Sequence, residues 1–322
     1  MTRTKMLFAL AVGLVLVGTP AWADFKTERR LALEPGGTFT LNADVGTVTL
    51  TGDSTSGAMV TVTSRKDDFN EVFDLRFDEG PGGVTVTAKR RGGWSKGFWN
   101  GDWFGDNTQF VVHVPSKTTV AIKTAGGSVD VTRLDGRLTA NTSGGSVRAE
   151  EIGGPVEGTT SGGSIRMRDV RGDTIARTSG GSIDIVGVRG RLTASTSGGG
   201  IDIDTVSGDL DASTSGGGVH VRGAGGRVEA HTSGGPVTVR FAAGNKSGGE
   251  LTTSGGGVRT ELDPGVALSI DASSSGGSVH SDLPVTVQGT TRNSLRGDIN
   301  GGGAMLRLRS SGGGVQIRAM RP

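Results

Sequence analysis

Aspartates at matching places of a repeated pattern are the first residues of this chain whose spacing could do chemistry. Asp184 and Asp202 lie 18 residues apart, and Asp204 follows two residues later, so on stacked strands all three would project from one sheet. Asp209 and Asp211 come shortly after. Oxygen-rich clusters of this kind can hold Ca²⁺. The calcium-binding nonapeptide GGxGxDxUx is absent, because each Gly-Gly leads straight into a strand. A solvated, charged face is therefore the favoured interpretation, and no metal or cofactor is predicted.

A second candidate site is a cluster of large aromatics in the polar segment RRGGWSKGFWNGDWFGD, residues 90–106. Exposed rings can form a platform for sugars, a partner protein or lipid headgroups. Alternatively, the segment folds its rings back over the protein's own core. The possible ligand contacts are Trp94, Phe98, Trp99, Trp103 and Phe104.

Catalytic chemistry finds little support in the residue types. The chain has no cysteine, which excludes a Cys nucleophile, a thiolate metal site and disulfides. The chain has so many hydroxyl residues that a Ser-His-Asp combination could be chosen for any histidine, so such a combination is no evidence for catalysis. The histidines are His113, His220, His231 and His280. Polysaccharide lyases and glycosidases do use β-helices, but they build clefts from long loops, which the regular repeats leave no room for. No catalytic residue is predicted.

Two Arg-Gly-Asp triplets, at residues 171–173 and 296–298, could suggest integrin binding. The first has a simpler explanation. The same corner of successive repeats reads LDGR, VRGD, VRGR and VSGD, so Arg and Asp alternate freely there.

The elements that must position these residues come from a repeat. Thr-Ser-Gly-Gly recurs every 18 residues, with a variant at Thr124, and later motifs begin at Thr253, Ser274 and Ser310. Glycine accounts for 59 of 322 residues, far above the usual share of about 7%. A fixed period of this kind indicates a repeat architecture. The regular motifs begin at Thr142, Thr160, Thr178, Thr196, Thr214 and Thr232.

Each repeat divides into two halves with apolar or small residues at alternate positions, which is typical of short, half-buried strands. Two strands per turn predict an all-β fold, a parallel β-solenoid with about eleven coils from Thr124 onward. A run of β-hairpins is the alternative. The inward residues of two successive coils are Ile183, Ile185, Val188, Leu192, Ala194, Ile201, Ile203, Val206, Leu210 and Ala212.

The Gly-Gly corners have two predicted roles. They would supply turns with positive φ, and they would let coils stack closely where a Cβ would clash. The Thr and Ser residues before them would form columns of hydroxyls that bond to the neighbouring coil.

The N-terminus reads as a secretory signal. Arg3 and Lys5 precede an apolar run, and Ala21-Trp22-Ala23 is a cleavage signal; an uncleaved anchor is the alternative. Removal of the signal segment with Arg3 and Lys5 would leave 32 basic residues and 32 acidic ones, so the net charge would be zero. Charge therefore gives no reason to expect a nucleic-acid partner. No other segment predicts a membrane span, and we expect an exported protein in the periplasm, on the cell surface or outside the cell. The predicted organisation is a signal peptide (1–23), an N-terminal β region or cap containing the aromatic segment (24–123), and a Gly-rich solenoid (124–322).

The chain resembles the DUF4097 family of proposed bacterial adhesins, which are exported β-repeat proteins. The likeness covers LEPGGTFTLNADVGTVTLTG (33–52), the repeat entry VVHVPSKTTVAIKTAGGSVDV (111–131) and INGGGAMLRLRSSGGGVQIR (299–318). The resemblance implies no catalytic residues.

We therefore expect a monomeric, non-enzymatic, adhesin-like or structural protein that binds a surface glycan or envelope protein. Because relatives are often encoded near sigma-factor and anti-sigma genes, an envelope-stress or signalling accessory is the alternative. A carbohydrate-active enzyme is a more distant one.

Overall fold

Alternating inward and outward side chains build two long β-sheets that face each other. The structure is a computed structural model that describes residues 25–53, 56–65, 69–91 and 108–320. Sheet 1 contains β1 (Phe25–Leu31), β3 (Thr47–Asp53), β4 (Ala58–Ser64), β7 (Gln109–Pro115), β9 (Val129–Leu134), β11 (Val147–Ile152), β13 (Ile165–Val170), β15 (Ile183–Val188), β17 (Ile201–Ile203), β19 (Val219–Ala224), β21 (Val237–Phe241), β23 (Val258–Leu262), β25 (Val279–Ser281) and β29 (Val315–Ala319).

Sheet 2 lies across the core from sheet 1. It contains β2 (Thr38–Ala43), β5 (Phe73–Gly80), β6 (Gly83–Arg90), β8 (Thr119–Lys123), β10 (Leu138–Asn141), β12 (Val156–Thr159), β14 (Thr174–Arg177), β16 (Leu192–Ser195), β18 (Leu210–Thr214), β20 (Val228–Thr232), β22 (Gly249–Thr253), β24 (Leu268–Ser274), β26 (Thr286–Thr291), β27 (Ser294–Ile299) and β28 (Ala304–Ser310). One short helix, α1 (Phe69–Val72), precedes β5. Over the described ranges, no helix has the length and hydrophobicity that a membrane crossing requires.

The strands pair as a parallel solenoid, which confirms the fold predicted from the 18-residue period. In the regular part each residue pairs with the residue one repeat later; Ile183, for example, lies beside both Ile165 and Ile201. The ten inward residues predicted above are at most 2% exposed. Large and small side chains interlock across the core, since a Cβ at Gly158 would lie 2.7 Å from Cε of Met167. Twelve coils stack in the order β6–β7, β2–β3, β8–β9, β10–β11, β12–β13, β14–β15, β16–β17, β18–β19, β20–β21, β22–β23, β28–β29 and β24–β25.

The Thr-Ser-Gly-Gly corners hold adjacent coils together through a hydroxyl ladder. The buried hydroxyl of Thr178 donates to the carbonyl of Gly163 in the preceding coil at 2.7 Å, and Thr196 repeats the bond to Gly181 at 2.8 Å. The predicted column is confirmed for the threonines, whereas the hydroxyls of the serines that follow them, such as Ser179, make no such bond among the described residues. The predicted positive φ was wrong for the motif glycines in the described chain, none of which has one. These glycines serve close approach instead, because a Cβ at Gly181 would overlap the backbone of Gly163.

Both ends of the stack depart from the simple repeat. At the N-terminal end, β4 pairs antiparallel with β7, β1 with β4, and β5 with β6. Phe69 of α1 stacks on Phe25 and Phe73, with ring centroids 4.8 and 4.9 Å apart. At the other end, the last coil in sequence, β28–β29, inserts between β22–β23 and β24–β25.

The coil count differs from expectation for a physical reason. From β8 onward the structure describes ten coils rather than about eleven. The 36 residues between Ser274 and Ser310 contain no additional coil, because β26 and β27 form an antiparallel hairpin that extends sheet 2.

Candidate functional site

The corner between each sheet 1 strand and the following sheet 2 strand contains an unusual backbone column. Arg133, Glu151 and Asp169 lie one above another in three successive coils and have φ of 57°, 57° and 53°. The next residue in the column is Gly187, with φ of 75°. Non-glycine residues in this left-handed region carry a strain of about 1–3 kcal/mol each, and such strain tends to collect at functional sites. Since glycine meets the same geometry one coil later, the fold itself does not require these three side chains.

This column forms one wall of a shallow groove, which we call the corner groove. The groove has a volume of about 860 Å³ and crosses six coils, from β3 to β17, a length of about 24 Å. Its other wall is the column two residues further along each corner. The lining residues are Gly52, Asp53, Ser116, Arg133, Asp135, Glu151, Ile152, Gly153, Asp169, Val170, Arg171, Gly187, Val188, Arg189, Thr205 and Ser207.

The corner groove presents charges of both signs to solvent. In the described chain, Arg133, Glu151, Asp169, Arg171 and Arg189 form no salt bridge with one another or with other residues. Acidic and basic groups therefore lie side by side within reach of one extended ligand. Sequence reasoning noted the Arg and Asp alternation at this corner but not the groove, because the strained column belongs to the preceding strand.

The aspartates singled out from the sequence do lie together on the outer face of sheet 1. Asp184 and Asp202 are paired in register on β15 and β17, and Asp204 follows β17. Arginines approach two of them: Arg166 lies 3.5 Å from Asp184, and Arg222 lies 3.8 Å from Asp202. Within the described ranges, no set of three or more His, Asp or Glu is arranged to hold a metal ion. The arrangement is that of a charged, solvated face.

Asp209 and Asp211 lie apart from that group, at the start of sheet 2 strand β18. Asp209 accepts a hydrogen bond from the backbone N–H of Arg227 at 2.9 Å. With Arg191 and Glu229 they line a small depression of about 180 Å³. Their position favours a role in coil stacking, since Asp209 joins two coils.

Both Arg-Gly-Asp triplets are built into the fold. Asp173 accepts a hydrogen bond from the N–H of Arg191 at 2.9 Å, which ties two coils together. Asp298 accepts from the hydroxyl of Ser269 at 2.7 Å and from the amide of Gln288 at 2.8 Å. In both triplets the Asp carboxylate is engaged within the protein.

Two of the four histidines lie beside a carboxylate that is close in the structure. Nδ1 of His113 lies 3.2 Å from Asp53, and Nε2 of His280 lies 3.0 Å from Asp282. The five aromatics of the sequence prediction, Trp94, Phe98, Trp99, Trp103 and Phe104, lie outside the described residues. The strands that flank them are known: β6 and β7 belong to the first coil of the stack, on opposite sheets.

Comparison with solved structures finds similar chains at low sequence identity. A proposed cell adhesion protein from Clostridium sporogenes is 12% identical, with 92% of this chain and 100% of that chain covered and a TM-score of 0.24. A proposed lipid-binding protein from Parabacteroides distasonis is 12% identical, with 92% of this chain and 97% of that chain covered and a TM-score of 0.42. A proposed adhesin from Bacteroides fragilis is 9% identical, with 93% of this chain and 99% of that chain covered and a TM-score of 0.39. None of the three is described as an enzyme, and at this similarity none carries a functional argument. No curated protein sequence matches the chain.

The family assignment rests on sequence. The model of the Toastrack DUF4097 family matches residues 38–318, which run from the first strand of coil β2–β3 to the end of the inserted coil β28–β29. The match therefore includes all six coils that line the corner groove. It also confirms the resemblance seen at both ends of the repeat. The chain belongs to the Toastrack DUF4097 family.

Proposed function

We propose that this chain is an exported, non-enzymatic, adhesin-like protein of the cell envelope that holds an extended polymer of mixed charge in the corner groove. One observation carries the proposal. Charged side chains at Arg133, Glu151 and Asp169 occupy strained positions that glycine fills without strain at Gly187. Side chains kept against a stability cost are candidates for binding.

The charge pattern of the groove supports a particular ligand chemistry. Asp135, Glu151 and Asp169 would pair with cationic groups, while Arg171 and Arg189 favour carboxylates or phosphates. The groove is shallow and long, so it suits a chain molecule rather than a small compound that needs enclosure. A glycan that carries short peptides, with amines and carboxylates on one polymer, meets all of these conditions.

Export is part of the same proposal. It is supported by the charged start, apolar run and Ala21-Trp22-Ala23 signal at the N-terminus. Cleavage after Ala23 would give a mature protein that begins at Asp24. Mass spectrometry of the protein recovered from its native host tests this directly.

The binding experiment compares a groove variant with a matched face variant. The groove variant replaces Arg133, Glu151 and Asp169 by glycine, and the face variant replaces Arg166, Asp184 and Asp202 by alanine, so each variant loses one basic and two acidic residues. The probe is a preparation of soluble peptidoglycan fragments, with a neutral β-glucan as negative control. We expect wild-type protein and the face variant to bind the fragments, more weakly as salt increases, and the groove variant to lose binding.

Stability measurements separate binding from folding in that experiment. Because glycine relieves the left-handed strain, the groove variant should unfold at the same temperature as wild type or higher. A groove variant that is less stable but binds normally would show that these side chains are structural, and the proposal would fail.

The aromatic segment is proposed as a second contact. Replacing Trp94, Trp99 and Trp103 by alanine should weaken binding to the same probe without lowering thermal stability, because rings that contact a ligand contribute contact area rather than core packing. Loss of stability with unchanged binding would mean that the rings pack on the protein instead.

A further inference from the structure

The open edges of the two sheets differ in how well they are protected. A sheet edge exposes unpaired backbone groups that can recruit another strand, and charged residues normally prevent this. At the N-terminal end, edge strands β1 and β5 carry four charged residues each, in FKTERRL and FDLRFDEG. At the other end, the sheet 1 edge β25 spans only three residues.

The remaining edge, β26, lacks the charges of β1 and β5 and is longer than β25; its protection is the β-bulge between Val287 and Gly289. Its sequence, TVQGTT, contains no charge and no proline, and all six residues are exposed. Val287 is one of the few large apolar residues on the described surface, at 49% exposed. On one side β26 pairs with β27, and among the described strands nothing pairs with its other side.

We propose that β26 is a self-association edge, which pairs antiparallel with β26 of a second copy of this chain. Two copies of one strand pair this way around a two-fold axis, so each contact occurs twice. An axis through Val287 places Val287 against its own copy and Thr286 against Gln288. The joined β26 strands would then unite the two second sheets into one continuous sheet.

The charges that flank the strand fit this register. Asp282 precedes β26 by four residues and Arg292 directly follows it, and both are exposed. In an antiparallel pair the start of each β26 lies beside the end of the other, which brings Asp282 of one copy towards Arg292 of the other, so groups of opposite charge approach at both ends. Asp282 lies 3.0 Å from Nε2 of His280 in its own chain, which leaves Arg292 as the group that gains a new partner. If two copies of β1 paired in the same way around Glu28, the two Glu28 carboxylates would face and repel each other. Charge thus favours a second copy at β26 and opposes it at β1.

The association should be weak. The β-bulge between Val287 and Gly289 limits the regular pairing to a short stretch, and one pair of strands buries little surface. We therefore expect a dimer that forms at high protein concentration and dissociates on dilution, in place of the monomer predicted from sequence.

Sedimentation of the full chain over a concentration series tests the edge with a matched pair of variants. Val287→Lys puts two like charges at the axis and should raise the dimer dissociation constant about tenfold or more. Val186→Lys is the control, because Val186 is also an exposed valine, at 38%, but lies on the face of sheet 1. Equal unfolding temperatures would show that both variants fold.

Cysteine cross-linking tests the register, since the chain has no cysteine of its own. Under mild oxidation, Val287→Cys should form a disulfide-linked dimer and Val186→Cys should not. The proposal is overturned if wild-type protein stays monomeric at all concentrations, if Val287→Lys dimerises like wild type, or if Val287→Cys cross-links no faster than Val186→Cys. Pairing of β26 only with a strand of a different protein would overturn it equally.

Discussion

Single hydroxyl groups of this core are expected to have opposite effects on stability, depending on whether a carbonyl is within reach. Thr178 donates to Gly163 at 2.7 Å, whereas the buried hydroxyl of Thr260 has no hydrogen-bond partner among the described residues. Thr260 pairs in register with Val239 and Ile317, in an apolar column. Thr178→Val should lower the free energy of unfolding by about 1 kcal/mol, and Thr260→Val should raise it by about 1 kcal/mol. Urea denaturation of both variants measures these changes in the free energy of unfolding. Changes in the same direction for both variants would contradict the prediction.

The two glycines of one corner also differ, which allows a test of close approach. At Gly181 a methyl group would overlap the backbone of Gly163, while at Gly180 the nearest atom would be 3.5 Å away. Gly181→Ala should therefore destabilise the protein by about 1–3 kcal/mol, because backbone must move to make room. Gly180→Ala should change stability by no more than about 0.5 kcal/mol. Thermal unfolding of the two variants measures the loss of stability. Equal losses of stability in both variants would show that the glycines provide backbone flexibility rather than close approach.

At the scale of elements, Asp271 joins three strands near the C-terminal end of the stack. Arg309 of β28 donates to the Asp271 carboxylate of β24 at 2.6 Å, and Arg296 of β27 lies 3.6 Å away. The hydrogen bond from Arg309 is the main cause that holds the pKa of Asp271 below its ordinary value, against burial, which raises it. Because the folded pKa is lowered, this carboxylate stabilises the protein above its unfolded pKa of about 3.9 and loses that effect as pH falls through the folded value.

Asp271→Asn should consequently lower the free energy of unfolding by about 1.5–3 kcal/mol at neutral pH. The difference from wild type should stay constant down to about pH 5 and shrink below about pH 4. Asp184→Asn is the control, since its exposed pair with Arg166 contributes about 0–1 kcal/mol. Urea titrations across this pH range measure both. If the difference in free energy of unfolding between wild type and Asp271→Asn grew as pH fell, the prediction would be contradicted.

Local pattern predicts some elements of this fold and is silent on others. The buried faces of β15 to β18 follow from alternation, because a strand's side-chain period of two is written directly into residues such as Ile183 and Ile185. The strained column at Glu151 and Asp169 has no such signature, since a charged residue there looks like any exposed position. The insertion of β28–β29 depends on pairing between distant strands, which local periodicity does not encode. The corner groove could not be predicted from the sequence because its strained column has no local signature.

At the scale of the whole molecule, each coil contacts only its two neighbours, so the stack should tolerate loss of a complete coil. Deleting residues 178–195 removes β15 and β16 and brings β13 beside β17 in the same register, with Thr196 taking the place of Thr178. We expect a folded protein whose urea m-value is about one-twelfth lower, because one coil of twelve no longer unfolds. Deleting only residues 187–195 is the control: the next Thr-Ser-Gly-Gly would then meet the wrong corner, and the two-sheet alternation would fail. Circular dichroism and urea denaturation measure both deletions. If the complete-coil deletion unfolds like the half-coil deletion, stability is a property of the entire stack rather than of neighbouring coils.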